Sequence, residues 1–135
     1  MIVLDSSFLI AYYNTRDVHH ASAARTMIQL IGGKWGPGLL LEYVFLETIT
    51  VLRARRDRKV AVTVGRILLH AREIDFVPCS DIFSETFETL GRHRSHDLSF
   101  TDAAIVTVAQ RYSPGFVATF DSDFSSVRGV SVVTS

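Results

Sequence analysis

The sequence predicts an α/β fold, a single domain in which a parallel sheet of four or five strands is sandwiched by helices. Three observations carry that expectation. Short apolar runs recur along the chain, separated by helix-length stretches, an alternation that implies parallel pairing through helical crossovers. The 135 residues suit one domain spanning 1–135. Hydrophobic residues make up 47% of the chain, enough for a core and too much for disorder.

Residues 2–4 (Ile-Val-Leu) read as a buried strand that ends at Asp5-Ser6-Ser7, where a helix starts. Residues 8–13 predict a short helix, broken around Asn14-Thr15. A second helix covers 18–31 and closes at Gly32-Gly33. Trp35-Gly36-Pro37-Gly38 reads as loop or a weak strand. A long helix covers 40–55, with apolar residues at 41, 44, 45, 49 and 52, and Asp57-Arg58-Lys59 marks the turn after it. Another helix covers 60–71. Residues 74–77 form a strand stopped by Pro78, and Ser80 can N-cap a helix running to Gly91. A polar, basic loop over 91–98 leads to a helix over 101–112, which Ser113-Pro114-Gly115 ends. The last strands cover 116–119 and 130–133. No internal repeat or low-complexity segment interrupts this order.

Fourteen basic and fourteen acidic residues give zero formal charge, so any attraction to nucleic acid must come from how charge is distributed. A neutral surface also favours self-association. The single cysteine, Cys79, cannot form an intrachain disulfide, and the N-terminus lacks a basic leader, so a cytoplasmic location is expected. The longest apolar stretch, 39–52, is interrupted by Glu42 and Glu47, so no membrane span is expected.

In doubly wound sheets, chemistry collects at the carboxyl ends of the strands. Asp5 follows the first strand and Asp121 follows the strand over 116–119, which puts both acids on one sheet edge. Asp5 can also serve as a helix N-cap, a role worth about 1 kcal/mol that Ser6 or Ser7 could fill instead. Glu47 has Tyr43, Val44, Thr50 and Val51 as its helical neighbours, a largely apolar face on which an ionised carboxylate is costly unless paired. Glu42 lies five residues away, about 140° round an ideal helix, and is the alternative helical acid. Asp102, in Ser99-Phe100-Thr101-Asp102, matches a capping box. Asp121-Ser122-Asp123 can be an ordinary turn. Convergence changes these separate readings. Two carboxylates ~4 Å apart repel by about 4 kcal/mol at an effective dielectric near 20. A cluster of them therefore calls for a cation, and oxygen-only ligation selects Mg²⁺ or Mn²⁺.

Four segments resemble the motifs of the PIN-domain family, in particular its VapC toxins: Ile2-Val3-Leu4-Asp5-Ser6-Ser7, Leu46-Glu47-Thr48-Ile49, Leu98-Ser99-Phe100-Thr101-Asp102-Ala103 and Ala118-Thr119-Phe120-Asp121-Ser122-Asp123-Phe124. They stand in the family's order and span almost the whole chain. The resemblance implies a PIN-like parallel sheet, a divalent metal, RNA phosphodiester cleavage, a homodimer and a small VapB-like antitoxin partner. Carried over residue by residue, Asp5, Glu47, Asp102 and Asp121 become the catalytic, metal-binding acids, with Glu42 kept open as the helical ligand. Asp123 becomes a further metal ligand. Ser6 becomes a hydroxyl that orients water or a phosphate oxygen, and Thr119 a partner for a site carboxylate.

Arg53, Arg55, Arg56, Arg58 and Lys59 crowd seven residues, and Arg92-His93-Arg94 forms a second basic group. Arg53, Arg55, Arg56, Arg92 and Arg94 are the RNA-contact candidates; the alternative for the first cluster is a solvated helix end. His19 and His20 read as surface residues of a helix's first turn. Two other functions stay open. One is an RNA-processing nuclease with the same acids and no antitoxin. The other is a receiver-type signalling domain, which needs an acidic pair at the first strand and a lysine after a late one. Asp5 stands alone, and neither Lys34 nor Lys59 follows a strand.

Overall fold

A computed structural model describes residues 1–94 and 96–134; Ser95, within the loop predicted over 91–98, and Ser135 lie outside the described residues. Five strands form one sheet in the order β3-β2-β1-β4-β5: β1 (Ile2–Leu4), β2 (Gly38–Leu41), β3 (Ile74–Val77), β4 (Gly115–Ala118) and β5 (Val130–Val132). Every pairing is parallel. Between them run α1 (Ser6–Tyr13), α2 (His20–Ile31), α3 (Glu42–Arg55), α4 (Arg58–His70), α5 (Phe83–Arg92) and α6 (Phe100–Ala109). Two 3₁₀ turns, Cys79–Asp81 and Ser122–Phe124, complete the order.

The central strands β1 and β2 are buried along their whole length, as strands covered on both faces must be. α6 is apolar on every side, and residues 103–109 are all buried. Gly115 opens β4 where no side chain fits, because a Cβ there would overlap the carbonyl oxygens of Ala109 and Gly129.

One element differs from the sequence-based expectation. The helix predicted from residue 40 starts at Glu42, and Gly38–Leu41 is a strand. Three consecutive leucines have no alternation and join an apolar helix without a breaker, so periodicity cannot separate the two. The sheet decides: Leu39 pairs with Val3 on one side and Asp75 on the other. Smaller shifts occur at ends. α2 begins at His20 rather than 18 because Asp17 Oδ1 accepts the His19 N–H at 2.8 Å and holds a turn there.

The strand order fixes where a site can form. β1 and β4 are neighbours, but the chain leaves β1 toward β2 and leaves β4 toward β5, in opposite directions. A crevice opens at the carboxyl ends of such a strand pair. The right-handed crossover rule sends α1 to α4 to one face of the sheet and α5 and α6 to the other.

Candidate active site

Asp5 is the first residue beyond β1, and its N–H donates to the Ala118 carbonyl at 3.0 Å, extending the β1–β4 ladder by one step. That step brings Asp5 beside Thr119, the first residue beyond β4. Asp5 is only 5% exposed, and three donors hold its carboxylate. Ser6 N–H donates to Oδ1 at 2.8 Å, while Ser7 Oγ (2.8 Å) and Thr119 Oγ1 (2.7 Å) both donate to Oδ2. Each hydroxyl proton is thereby committed, so the 3.2 Å between Ser7 Oγ and Thr119 Oγ1 is a contact and not a further bond. The same two oxygens accept from the backbone of the next turn: Phe120 N–H to Ser7 Oγ (3.0 Å) and Asp121 N–H to Thr119 Oγ1 (2.9 Å). The network fixes Asp5 and sets the path of the chain into Asp121. Asp5 itself is the N-cap of α1, so capping and site placement are one arrangement and the serines serve elsewhere.

Glu47 approaches from α3. It is exposed, and Ser6 Oγ donates to its Oε1 at 2.9 Å. Glu42 goes elsewhere: its Oε1 accepts the Cys79 N–H at 3.0 Å, beyond β3. Asp102 arrives from the first turn of α6 and does form a capping box, with Ser99 N–H donating to its Oδ2 and its own N–H donating to Ser99 Oγ, both at 3.0 Å. Neither bond uses its Oδ1, and the residue lines the same pocket as Asp5 and Glu47.

Asp5, Glu47, Asp102 and Asp121 line one open pocket of about 270 Å³ together with Ser6, Ser7, Ile10, Asp17, His19, Val51 and Arg55. Burial pushes the Asp5 carboxyl above the usual carboxylate range. The three hydrogen bonds oppose that shift without cancelling it, and the Glu47 charge adds to it. Burial also raises Asp102, and the charges of Asp5 and Asp121 push the same way while the Ser99 hydrogen bonds resist. No ion pair among the described residues reaches any of the four acids.

Some predicted residues lie outside this pocket. Asp123 is exposed and absent from the lining; it contributes a backbone N–H to Asp121 Oδ1 at 2.9 Å. Of the first basic group, Arg55 lines the pocket. It stands two turns beyond Glu47 on the same helix face, with Val51 between them. Arg53 is exposed elsewhere on α3, and the half-buried Arg56 donates to Asn14 Oδ1 at 3.3 Å. Arg92 lines a different depression, with Glu85, Glu88, Thr89 and Arg111, and donates to Thr89 Oγ1 at 3.3 Å. Arg94 is exposed and lines neither.

Three polar residues of the lining, Ser7, Asp17 and His19, have no site role in the sequence-based expectation. Ser7 had a signal in the sequence, a second hydroxyl after the first acid. Asp17 and His19 had none, because only the fold of the α1–α2 connection brings them here.

The four acids lie on four separate segments that run across the chain, and the PIN domain family model matches residues 2–130. The chain belongs to the PIN-domain family. Among characterised PIN proteins it is similar to the 23S rRNA-specific endonuclease VapC20 of Mycobacterium tuberculosis, at 31% identity over 133 residues covering 98% of each chain. The VapC ribonuclease of Archaeoglobus fulgidus is 26% identical over 124 residues, 91% of this chain and 78% of that one. The crystal structure of M. tuberculosis VapC20, described as a sarcin–ricin loop cleaving toxin, superposes with a TM-score of 0.78 over 93% of each chain at 28% identity. A toxin–antitoxin complex from Klebsiella pneumoniae shares the fold, with a TM-score of 0.65 and 16% identity. The PIN domain described here is thus of the VapC type, and its family is one of nucleases. No helix among its described residues is long and apolar enough to cross a membrane.

The pocket suits a divalent cation by its chemistry. Its acidic donors are all oxygen, two of them are raised by burial, and among the described residues no cation forms an ion pair with them. Among the described residues no three His, Cys, Asp or Glu side chains stand close enough together to hold a metal ion as they are. An ion in this pocket would draw on water and substrate oxygens as well as on the carboxylates.

Proposed function

We propose that this protein is a Mg²⁺- or Mn²⁺-dependent endoribonuclease that hydrolyses RNA phosphodiester bonds and acts as the toxin of a VapB-like antitoxin. The observation that carries the reading is that Asp5, Glu47, Asp102 and Asp121 line one pocket, with no ion pair to them among the described residues. These four would hold the ion. When bound, it supplies activation of water and neutralisation of charge on the phosphoryl group.

The chain's own groups do the rest. Ser7 and Thr119 lock the Asp5 carboxylate in one orientation, and Ser6 does the same for Glu47. Such supporting contacts tune a site about as strongly as the ligands' immediate surroundings allow, typically ~10–100-fold in metal affinity or activity. Arg55, at the far end of the lining face of α3, is placed to pair with a phosphate oxygen. The names of the relatives support RNA as substrate, and the sarcin–ricin loop of 23S rRNA is the first target to test. Exposed Phe83 and Phe87, one turn apart on α5, suit a second copy of the chain. The apolar groove formed by Tyr12, Tyr13, Met27, Leu30 and Ile67 suits a protein partner.

The test is cleavage of total RNA and of a sarcin–ricin loop hairpin with Mg²⁺, Mn²⁺ or EDTA, by the wild type and by Asp102→Asn, which keeps an oxygen for the Ser99 N–H. Cleavage that needs the ion and disappears in the variant is the expected result. Cleavage that persists in EDTA, or a fully active variant, refutes the metal site. Growth arrest on expression, relieved by the product of an adjacent small reading frame, tests the toxin assignment.

A further inference from the structure

We propose that the stacked rings of His19 and Phe120 form a platform for an unpaired RNA base next to the scissile phosphate. The proposal rests on the ribonuclease reading above and adds a residue that positions substrate. The two rings are nearly parallel, 7° between planes, with centroids 4.4 Å apart. His19 is exposed, Phe120 is half-buried, and His19 carries the only ring among the described residues that line the acidic pocket. Phe120 therefore backs one face of the imidazole, and His19 as a whole is exposed at the pocket wall.

Both rings are tethered to the acids by separate segments. Phe120 precedes Asp121, and its N–H is held at 3.0 Å by Ser7 Oγ, the same oxygen that donates to Asp5. His19 comes from the α1–α2 connection, where its N–H is held at 2.8 Å by Asp17 Oδ1, and Asp17 also lines the pocket. An open aromatic face at a fixed distance from a phosphate-binding pocket is what recognition of single-stranded RNA uses, since unstacked bases settle on aromatic side chains. Every base has such a face, so the platform selects an unpaired nucleotide and not a particular base. The other exposed rings among the described residues, Phe76, Phe83, Phe87, Tyr112 and His70, are not part of the pocket lining.

The test uses a short RNA hairpin whose cleavage site has been mapped with the wild type, and versions of it with one abasic nucleotide placed in turn at each position around that site. Wild type, His19→Ala and His19→Tyr are compared by kcat/KM. At one neighbouring position, removing the base should lower the wild-type value roughly 5- to 150-fold, the range for loss of one stacked base. His19→Ala should already have lost a similar factor on the intact hairpin and lose little more at that position. His19→Tyr, which restores a ring, should recover most of the wild-type rate and the sensitivity to that abasic position. A merely structural role for His19 would lower the rate without changing the abasic pattern. Equal abasic penalties in wild type and His19→Ala at every position overturn the platform. A wild type that cleaves no RNA overturns the ribonuclease reading, and the platform with it.

Discussion

Asp5 and Glu42 hold equivalent places on paired strands. Each is the first residue beyond a fully buried strand, β1 and β2, and each begins or caps the helix that follows. Their surroundings are opposite in kind. Beside Asp5, β4 delivers Thr119 and Asp121, two hydroxyls converge on one carboxylate oxygen, and Glu47 and Asp102 share the pocket. Beside Glu42, β3 delivers Cys79, whose backbone N–H satisfies the carboxylate. An acid at a strand end thus becomes a candidate ligand or an ordinary cap according to what the neighbouring strand brings to it. At the β1–β4 switch point the neighbour brings more acid; at β2–β3 it brings a donor.

The largest expected effect separates the two acids by activity. Asp5→Asn should lower RNA cleavage by at least ~100-fold, since removing a ligand costs more than removing a group that supports one. Glu42→Gln keeps an oxygen for the Cys79 N–H and should stay within about twofold of wild type, because no reacting group touches it. Multiple-turnover cleavage, with circular dichroism to verify folding, reads both. A comparable loss in Glu42→Gln would erase the distinction between the two strand ends.

The second prediction concerns pH and the ion. Asp5 and Asp102 have raised values in the folded protein, chiefly through burial. Between the ordinary carboxylate value and the raised one, the folded chain holds protons that the unfolded chain has released. Metal-free stability must therefore fall as pH rises through that window. Added Mg²⁺ or Mn²⁺ should reverse the fall by binding only the folded form, by about 2.7 kcal/mol at a hundred times Kd. Thermal unfolding with and without EDTA across the acid-to-neutral range measures it. Glu42→Gln should retain the ion-dependent shift and Asp5→Asn should lose most of it. Stability that rises with pH in the metal-free protein would contradict the burial argument.

Thr119→Val sharpens the comparison from the side of the donors. Thr119 is 1% exposed, donates to Asp5 and accepts from Asp121 N–H. Valine keeps the shape and leaves that N–H without its acceptor, at a cost of about 1–3 kcal/mol. Urea unfolding should show the loss, and cleavage should fall ~10–100-fold as Asp5 loses one of its holds. An unchanged midpoint would mean that water replaces the hydroxyl fully.

The contrast between the two acids was only half legible in the sequence. β1, β3, β4 and β5 announce themselves through branched apolar runs ended by acids, Pro78 or glycine, and the four acids follow from residue type once the strands are taken as parallel. β2 stayed hidden because Leu39-Leu40-Leu41 has no periodicity of its own. That hid the one fact that makes Glu42 a strand-end residue and leaves Glu47 a turn further along α3, facing the crevice. The hydroxyl network, Asp17 and His19 depend on how loops fold back over the sheet edge, which no local pattern encodes. The second basic group stands apart from the acids for the same reason: Arg92 donates to Thr89, one turn earlier on α5, and lines a different depression.

The smallest effect is the most specific to the β2–β3 side. Glu42→Ala removes the acceptor of the Cys79 N–H and an acid from the first turn of α3. The hydrogen bond contributes about 0.5–1.5 kcal/mol net, and the charge at the helix start adds ~0.3–1 kcal/mol. Cys79 is only half-buried, so water can partly replace the lost partner and the total should sit near the low end of that sum. Glu42→Gln keeps the bond and loses only the charge, so its destabilisation should fall within the ~0.3–1 kcal/mol of the helix-start charge and shrink as salt rises. Both variants should cleave RNA as the wild type does at temperatures where they remain folded. The difference between them, read by urea unfolding at low and high salt, isolates the hydrogen bond from the helix-start charge. If Glu42→Gln were as destabilised as Glu42→Ala and the deficit vanished in salt, the acid would act through its charge. The strand-end comparison would then rest on electrostatics and not on the donor that β3 supplies.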